Sequence, residues 1–93
     1  MAQVKWSKRA LSDLRFIYDY IAIDSVFYAE RYINKLISRV DQLETLPESG
    51  RIVPEKNDLM IRELIEGNYR IFYKIQRGHI FILRIHHAAR NIT

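Results

Sequence analysis

Cysteine is absent from this 93-residue chain, glycine occurs three times and proline twice. Without thiols there is no disulfide, no thiolate nucleophile and no cysteine-held zinc, and three histidines without HxH or HExxH spacing give no metal-site pattern. Gly50, Gly67 and Gly78 lie too far apart to form a phosphate-cradling loop, so neither a metal nor a cofactor is expected. No apolar run approaches the ~18 residues of a membrane span. The opening MAQVKWSKRA lacks the apolar core of a secretion signal. The expectation is a cytoplasmic protein that does not engage membranes.

What is present is enough apolar material, 48% of residues, for one small core, and residues 1–93 read as a single domain. The net charge of +4 is unevenly distributed. Residues 1–46 carry seven Lys/Arg against six Asp/Glu, whereas residues 67–93 carry Arg70, Lys74, Arg77, Arg84 and Arg90 and no acid. Such a block either solubilises a sheet or offers a surface to nucleic acid or an acidic protein segment.

Residues 3–6 (QVKW) read as a brief strand or lead-in. Ser7 stands at an N-cap position, after which Ala10, Leu14, Ile17 and Ile21 recur at helical spacing, predicting a helix over about 7–23. Asp24 and Ser25 supply a break and a second N-cap. Ala29, Ile33, Leu36, Val40 and Leu43 then predict a helix over about 26–45, antiparallel to the first across a short connection. Pro47, Gly50 and Pro54 mark a loop. MIRELI, YRIFYKI and HIFILRIH follow as three strands, joined by turns at Glu66–Asn68 and Arg77–Gly78. The expected fold is α+β: a short N-terminal strand and an antiparallel helical hairpin packed on one face of a small antiparallel β-sheet.

In RELIEGNYRIFYKI, Tyr69, Ile71, Tyr73 and Ile75 share one parity, which predicts a buried face, and Arg70 and Lys74 take the other, which predicts an outward basic face. The last strand is apolar on both parities. An unbroken ladder from the Arg77–Gly78 turn would set Ile71 opposite Arg84 and bury a guanidinium in the core. A one-residue bulge near Leu83 and Arg84 instead sets Ile71 opposite Ile85 and Arg70 beside His86, and is the expected arrangement.

The segments WSKRALSDLRFIYDYI, LPESGRIVPE, RELIEGNYRIFYKI and IFILRIHHAAR, in this order, resemble the RelE/ParE superfamily of toxins from type II toxin–antitoxin systems, over nearly the whole chain. The resemblance implies a plasmid-stabilisation type of toxin held inactive in a hetero-oligomeric complex by a ParD-like or RelB-like antitoxin. It also implies one of two targets. RelE-like members cut messenger RNA on the ribosome, and ParE-like members poison DNA gyrase without being nucleases. For the first activity the candidates are Glu55, Arg70, Arg84, His86 and His87, since metal-free attack by a 2′-hydroxyl needs a base, cations for the phosphorus and an acid for the leaving oxygen.

Three features point to the ParE-like branch. The tail AARNIT lacks the cationic and tyrosine cluster that ribonuclease members carry there. Residues 46–66 hold only one lysine, Lys56, amid Glu48, Glu55, Asp58, Glu63 and Glu66, which suits an RNA backbone poorly. The closing R-I-x-H-x-A-R is closer to the ParE-like pattern. Antitoxin or target binding is then assigned to Arg70, Lys74, Arg84, His86 and Arg90. Plainer roles stand beside several candidates, Arg70 as a solvated strand residue, Glu55 as ordinary surface and His87 as a structural histidine on the Ile85 face, while His86 and Arg84 carry more weight for function. The expected partner is an acidic, initially disordered segment, its apolar anchors entering the groove between the hairpin and the sheet. Charge reversal at Arg70 and Lys74 is expected to slow its capture.

Overall fold

Ser7 ends the first strand and starts the first helix, and it holds both ends of that junction. In the computed structural model, which describes residues 2–88, its hydroxyl accepts from the Ala10 N–H at 2.9 Å as an N-cap and donates to the Leu83 carbonyl at 3.1 Å. Strand β1 (Gln3–Trp6) thus leads straight into α1 (Lys8–Ala22). Ser25 caps α2 (Val26–Asp41) through the Tyr28 N–H, and one 3₁₀ turn, Gln42–Glu44, finishes the segment expected to be helical to 45. Among the described residues no helix is long and apolar enough to cross a membrane.

The loop expected after Pro47 contains a two-residue strand, β2 (Arg51–Ile52), too short to register as a pattern in sequence. Strands β3 (Ile61–Glu66), β4 (Tyr69–Gln76) and β5 (His79–His87) form the expected meander. Its turns use left-handed backbone at Gly67 (φ 57°) and at Arg77 and Gly78 (φ 52° and 76°). The sheet order is β1-β5-β4-β3-β2, and β1 pairs with β5 in parallel, so the sheet is mixed rather than wholly antiparallel. The helical hairpin makes that possible, because it carries the chain over the sheet before the meander begins.

The bulge is where expected. Tyr73 faces Ile82 and Phe72 faces Arg84, leaving Leu83 as the extra residue, and beyond it Ile71 faces Ile85 and Arg70 faces His86. This shift keeps Ile80, Ile82 and Ile85 on one face, where they join Leu64, Ile71 and Tyr73 against Ala10, Ile17, Leu36 and Val40 of the helices. Trp6 packs at the margin of this core. The core parity of β4 is as read from the sequence: Ile71 and Tyr73 are fully buried, and Tyr69 and Ile75 partly so.

Candidate functional site

The face of the sheet away from the helices is not the open basic surface that sequence parity predicted. Arg70 is only 8% exposed and Phe72 3%. The cause is an ionic ladder across three strands. Register sets Arg51 of β2 opposite Glu63 of β3, and Glu63 diagonal to Arg70 of β4, within side-chain reach. The Arg51 Nε donates to Glu63 Oε2 at 2.7 Å, and the Arg70 Nε donates to Glu63 Oε1. The β2–β3 loop then folds over this face and brings Glu55 to the remaining edge of the guanidinium, where Arg70 Nη1 and Nη2 donate to its two carboxylate oxygens at 2.9 and 3.1 Å. Phe72 lies beneath, 4.9 Å from the guanidinium carbon to the ring centre.

Two arginines and two glutamates here sum to no net charge. Burial is the strongest single influence on Glu63 and opposes its ionisation, but the hydrogen bonds from Arg70 and Arg51 outweigh it and hold the carboxyl below the usual glutamate range. The hydrogen bond from Arg70 likewise lowers Glu55, and Glu63 and then Glu55 raise Arg70 above the ordinary arginine value. Lys74, half-buried, lies 3.5 Å from Asp58 of the same loop. Placing Arg70 outward in solvent is therefore corrected: acids from residues 47–66 fold back onto Arg70 and Lys74 and pair with them.

On the helix side, β1 ends at Trp6 opposite Ile82, so β5 continues past it without that neighbour. Helix α1 takes over the backbone there. Asp13 accepts from Arg84 Nε at 2.8 Å, from Arg84 Nη2 at 3.2 Å and from the Ile85 N–H at 2.9 Å. Between α1, α2, the β3–β4 turn and the end of β5 runs a groove of about 670 Å³, lined among others by Phe16, Ile17, Tyr20, Tyr32, Tyr69 and His87. Phe16 and Tyr20 are 61% and 65% exposed, large apolar surfaces left facing solvent. The groove floor is braced by the Tyr32 hydroxyl, which donates to the Glu66 carbonyl at 2.9 Å, and by Lys35 and Arg39 beside the Glu66 carboxylate at 3.4 Å each.

The expected site residues divide between these two places. Arg70, Lys74 and Glu55 belong to the neutralised face. Glu55 is the bidentate partner of Arg70 rather than idle surface. Arg84 turns to Asp13. His86 sits edge-on to Phe72, 5.8 Å between ring centres, and also lines the groove. His87 meets Tyr69 edge-on at 5.3 Å within the groove. Arg90 lies outside the described residues. Asp13, Phe16 and Tyr20 were not singled out from the sequence. The available signal was Phe16 and Tyr20 four residues apart, off the stripe of Ala10, Leu14, Ile17 and Ile21, so that one flank of α1 carries aromatics the core cannot bury. Among the described residues no group of three or more His, Asp or Glu could hold a metal ion.

Comparison with known proteins agrees with this architecture. Residues 4–92 match the family model of the ParE toxin of type II toxin–antitoxin systems, parDE. Toxin RelE2 of Caulobacter vibrioides is 42% identical over 91 residues, 97% of this chain and 99% of that protein. The chromosomal ParDE system of P. aeruginosa contains a chain that superposes with a TM-score of 0.78 at 26% identity, over 94% of this chain and 96% of that one. The toxin–antitoxin complex RelBE2 of Mycobacterium tuberculosis shares the fold, with a TM-score of 0.70 at 19% identity over 92% and 96% of the two chains. The chain is a member of the ParE toxin family, within the RelE/ParE superfamily of type II toxin–antitoxin toxins.

Proposed function

We propose that this toxin acts as a ParE-like inhibitor of DNA gyrase in the cytoplasm, serving plasmid stabilisation, and that a cognate antitoxin neutralises it by laying an amphipathic segment into the groove between α1 and β5. The observation that carries the reading is the fate of the cations a nuclease would need. Arg70, 8% exposed, is paired with both Glu63 and Glu55, and Arg84 is held by Asp13. A scissile phosphate would have to compete with a carboxylate already paired to either guanidinium. Glu55, lowered in pKa and locked on both oxygens, is a weak base for a 2′-hydroxyl. The exposed aromatics of the groove are instead suited to anchoring a protein segment. The similarity to a chain of a ParDE system supports an antitoxin of that kind.

The RelE designation of the 42% identical relative favours the other reading, a ribosome-dependent endoribonuclease using Glu55, Arg70, Arg84, His86 and His87. Purified toxin decides between them. The expected result is inhibited supercoiling by gyrase, with double-strand breaks and an SOS response on induction in cells. Codon-positioned messenger cleavage on purified ribosomes with supercoiling intact would overturn the gyrase reading, and absence of any growth defect would mean that the chain is a toxin remnant. A ribbon-helix-helix reading frame directly upstream is the expected genetic context for the ParE-like branch.

A further inference from the structure

Beside the groove lies a second hollow, of about 330 Å³, with a different chemistry. Arg9 from α1, Lys56 from the β2–β3 loop, and Arg84 and His86 from β5 form its rim, and Phe72 and Leu83 its floor. Arg84 is balanced by Asp13. Arg9 and Lys56 are exposed, and neither side chain has a carboxylate partner among the described residues. Two unbalanced cations therefore overlook an apolar floor, in contrast to the neutralised ladder around Arg70. Arg84 and His86 line both hollows, so the apolar groove and the cationic one adjoin there. They meet along the stretch of β5 beyond Ile82, where β1 has stopped.

We infer that this hollow is a carboxylate-binding subsite for the antitoxin: the segment that anchors apolar side chains among Phe16, Tyr20 and Tyr69 continues past Arg84 and seats an aspartate or glutamate between Arg9 and Lys56. The inference rests on the reading that an antitoxin segment occupies the groove. Its ligand is an acidic peptide rather than a nucleic acid because Phe72, the aromatic ring of the floor, is 3% exposed and offers no face on which a base can stack. Charge complementarity supports the same choice. Exposed cations that no internal acid balances act at long range, and they suit the capture of a flexible acidic chain.

The test measures association of the toxin with the antitoxin of the same operon by stopped flow at low and at high salt. Three toxins are compared: wild type, the pair Arg9→Glu with Lys56→Glu, and a control pair with the same charge change elsewhere, Lys5→Glu with Arg31→Glu. All four positions are exposed, and circular dichroism and melting confirm that each variant folds. A milder pair, Arg9→Gln with Lys56→Gln, covers the case in which the reversals disturb folding. The expected result is an association rate lowered about tenfold at low salt for the Arg9 and Lys56 pair, with a flatter salt dependence, and a much smaller change for the control. Equal effects of the two pairs, or none from the first, would overturn the subsite while leaving the groove reading in place. Failure of the wild-type toxin to bind the antitoxin would remove the groove reading itself. If the Arg9 and Lys56 pair loses binding only to a labelled oligouridylate, with antitoxin rates unchanged, the acidic-peptide assignment is wrong.

Discussion

Glu63 is 2% exposed between two guanidinium groups, and removing it leaves Arg70 buried with half of its partners. Replacement by alanine is expected to cost about 3 kcal/mol in denaturant unfolding, in the range for breaking buried ion pairs. Arg70→Glu, which would place three acids together, is expected to yield no folded protein, so Arg70 cannot serve as a handle on association rate. The same ladder sets the acid response. Glu63 and Glu55 both titrate lower in the folded chain than in the unfolded one, so the unfolded state takes up protons first as pH falls. Their stabilisation is complete above the ordinary glutamate value of about 4.3 and is lost as pH drops through the folded values. The fall in Tm between about pH 6 and about pH 3 should therefore be smaller for Glu63→Gln than for wild type. Tyr73 illustrates a neutral counterpart. Its buried hydroxyl accepts from the Gly50 N–H at 2.9 Å and donates to the Pro47 carbonyl at 2.8 Å. Tyr73→Phe strands both groups and should cost about 1–3 kcal/mol. Gly50→Ala should do comparable damage, about 1–3 kcal/mol, because its Cβ would lie 2.5 Å from the Tyr73 hydroxyl and 2.6 Å from the Glu63 carbonyl oxygen.

At the scale of elements, the bulge in β5 and the start of α1 work as one unit. Past the end of β1 the β5 backbone at the bulge has no strand neighbour on that side, and the cap and first turns of α1 supply partners: Ser7 donates to the Leu83 carbonyl, and Asp13 accepts from the Ile85 N–H. Arg84, moved off the core by the bulge, closes on the same Asp13. Asp13→Ala is expected to lower stability by about 2–3 kcal/mol, since it removes two charge-assisted contacts and strands the amide. Amide exchange at Ile85 should accelerate more than at Ile80, which lies in the stretch flanked by β1 and β4. Sequence reading reached the bulge because the alternative buried a guanidinium. It did not reach Asp13, because nothing in the spacing of α1 says that one of its polar positions will meet a strand 71 residues later.

For the molecule as a whole, the groove and the ionic face are two outcomes of one topology. The helical hairpin covers one side of the sheet but leaves Phe16 and Tyr20 at its rim, and the β2–β3 loop closes the other side with Glu55 and Asp58. Antitoxin binding should accordingly be felt asymmetrically. Hydrogen exchange of the complex is expected to slow along α1 from 13 to 21 and along β5 from 84 to 87, with little change at 51 and 52 on the opposite edge of the sheet. Uniform protection of both edges would contradict groove binding.

Local interactions explain why so much was legible beforehand. The helices, the caps at Ser7 and Ser25, the turns and the core parity of β4 follow from periodicity and from backbone groups satisfied within a few residues, which a linear string carries intact. The family resemblance was legible for a related reason, in ordered segments that these constraints preserve. The parallel docking of β1, the two-residue β2, the burial of Arg70 and the meeting of groove and cationic hollow at Arg84 each depend on segments far apart in the chain. Parity can say that Arg70 points away from the core, but only the folded loop brings Glu55 there. Whether a charged side chain meets water or a counter-charge is decided by what else the fold places beside it.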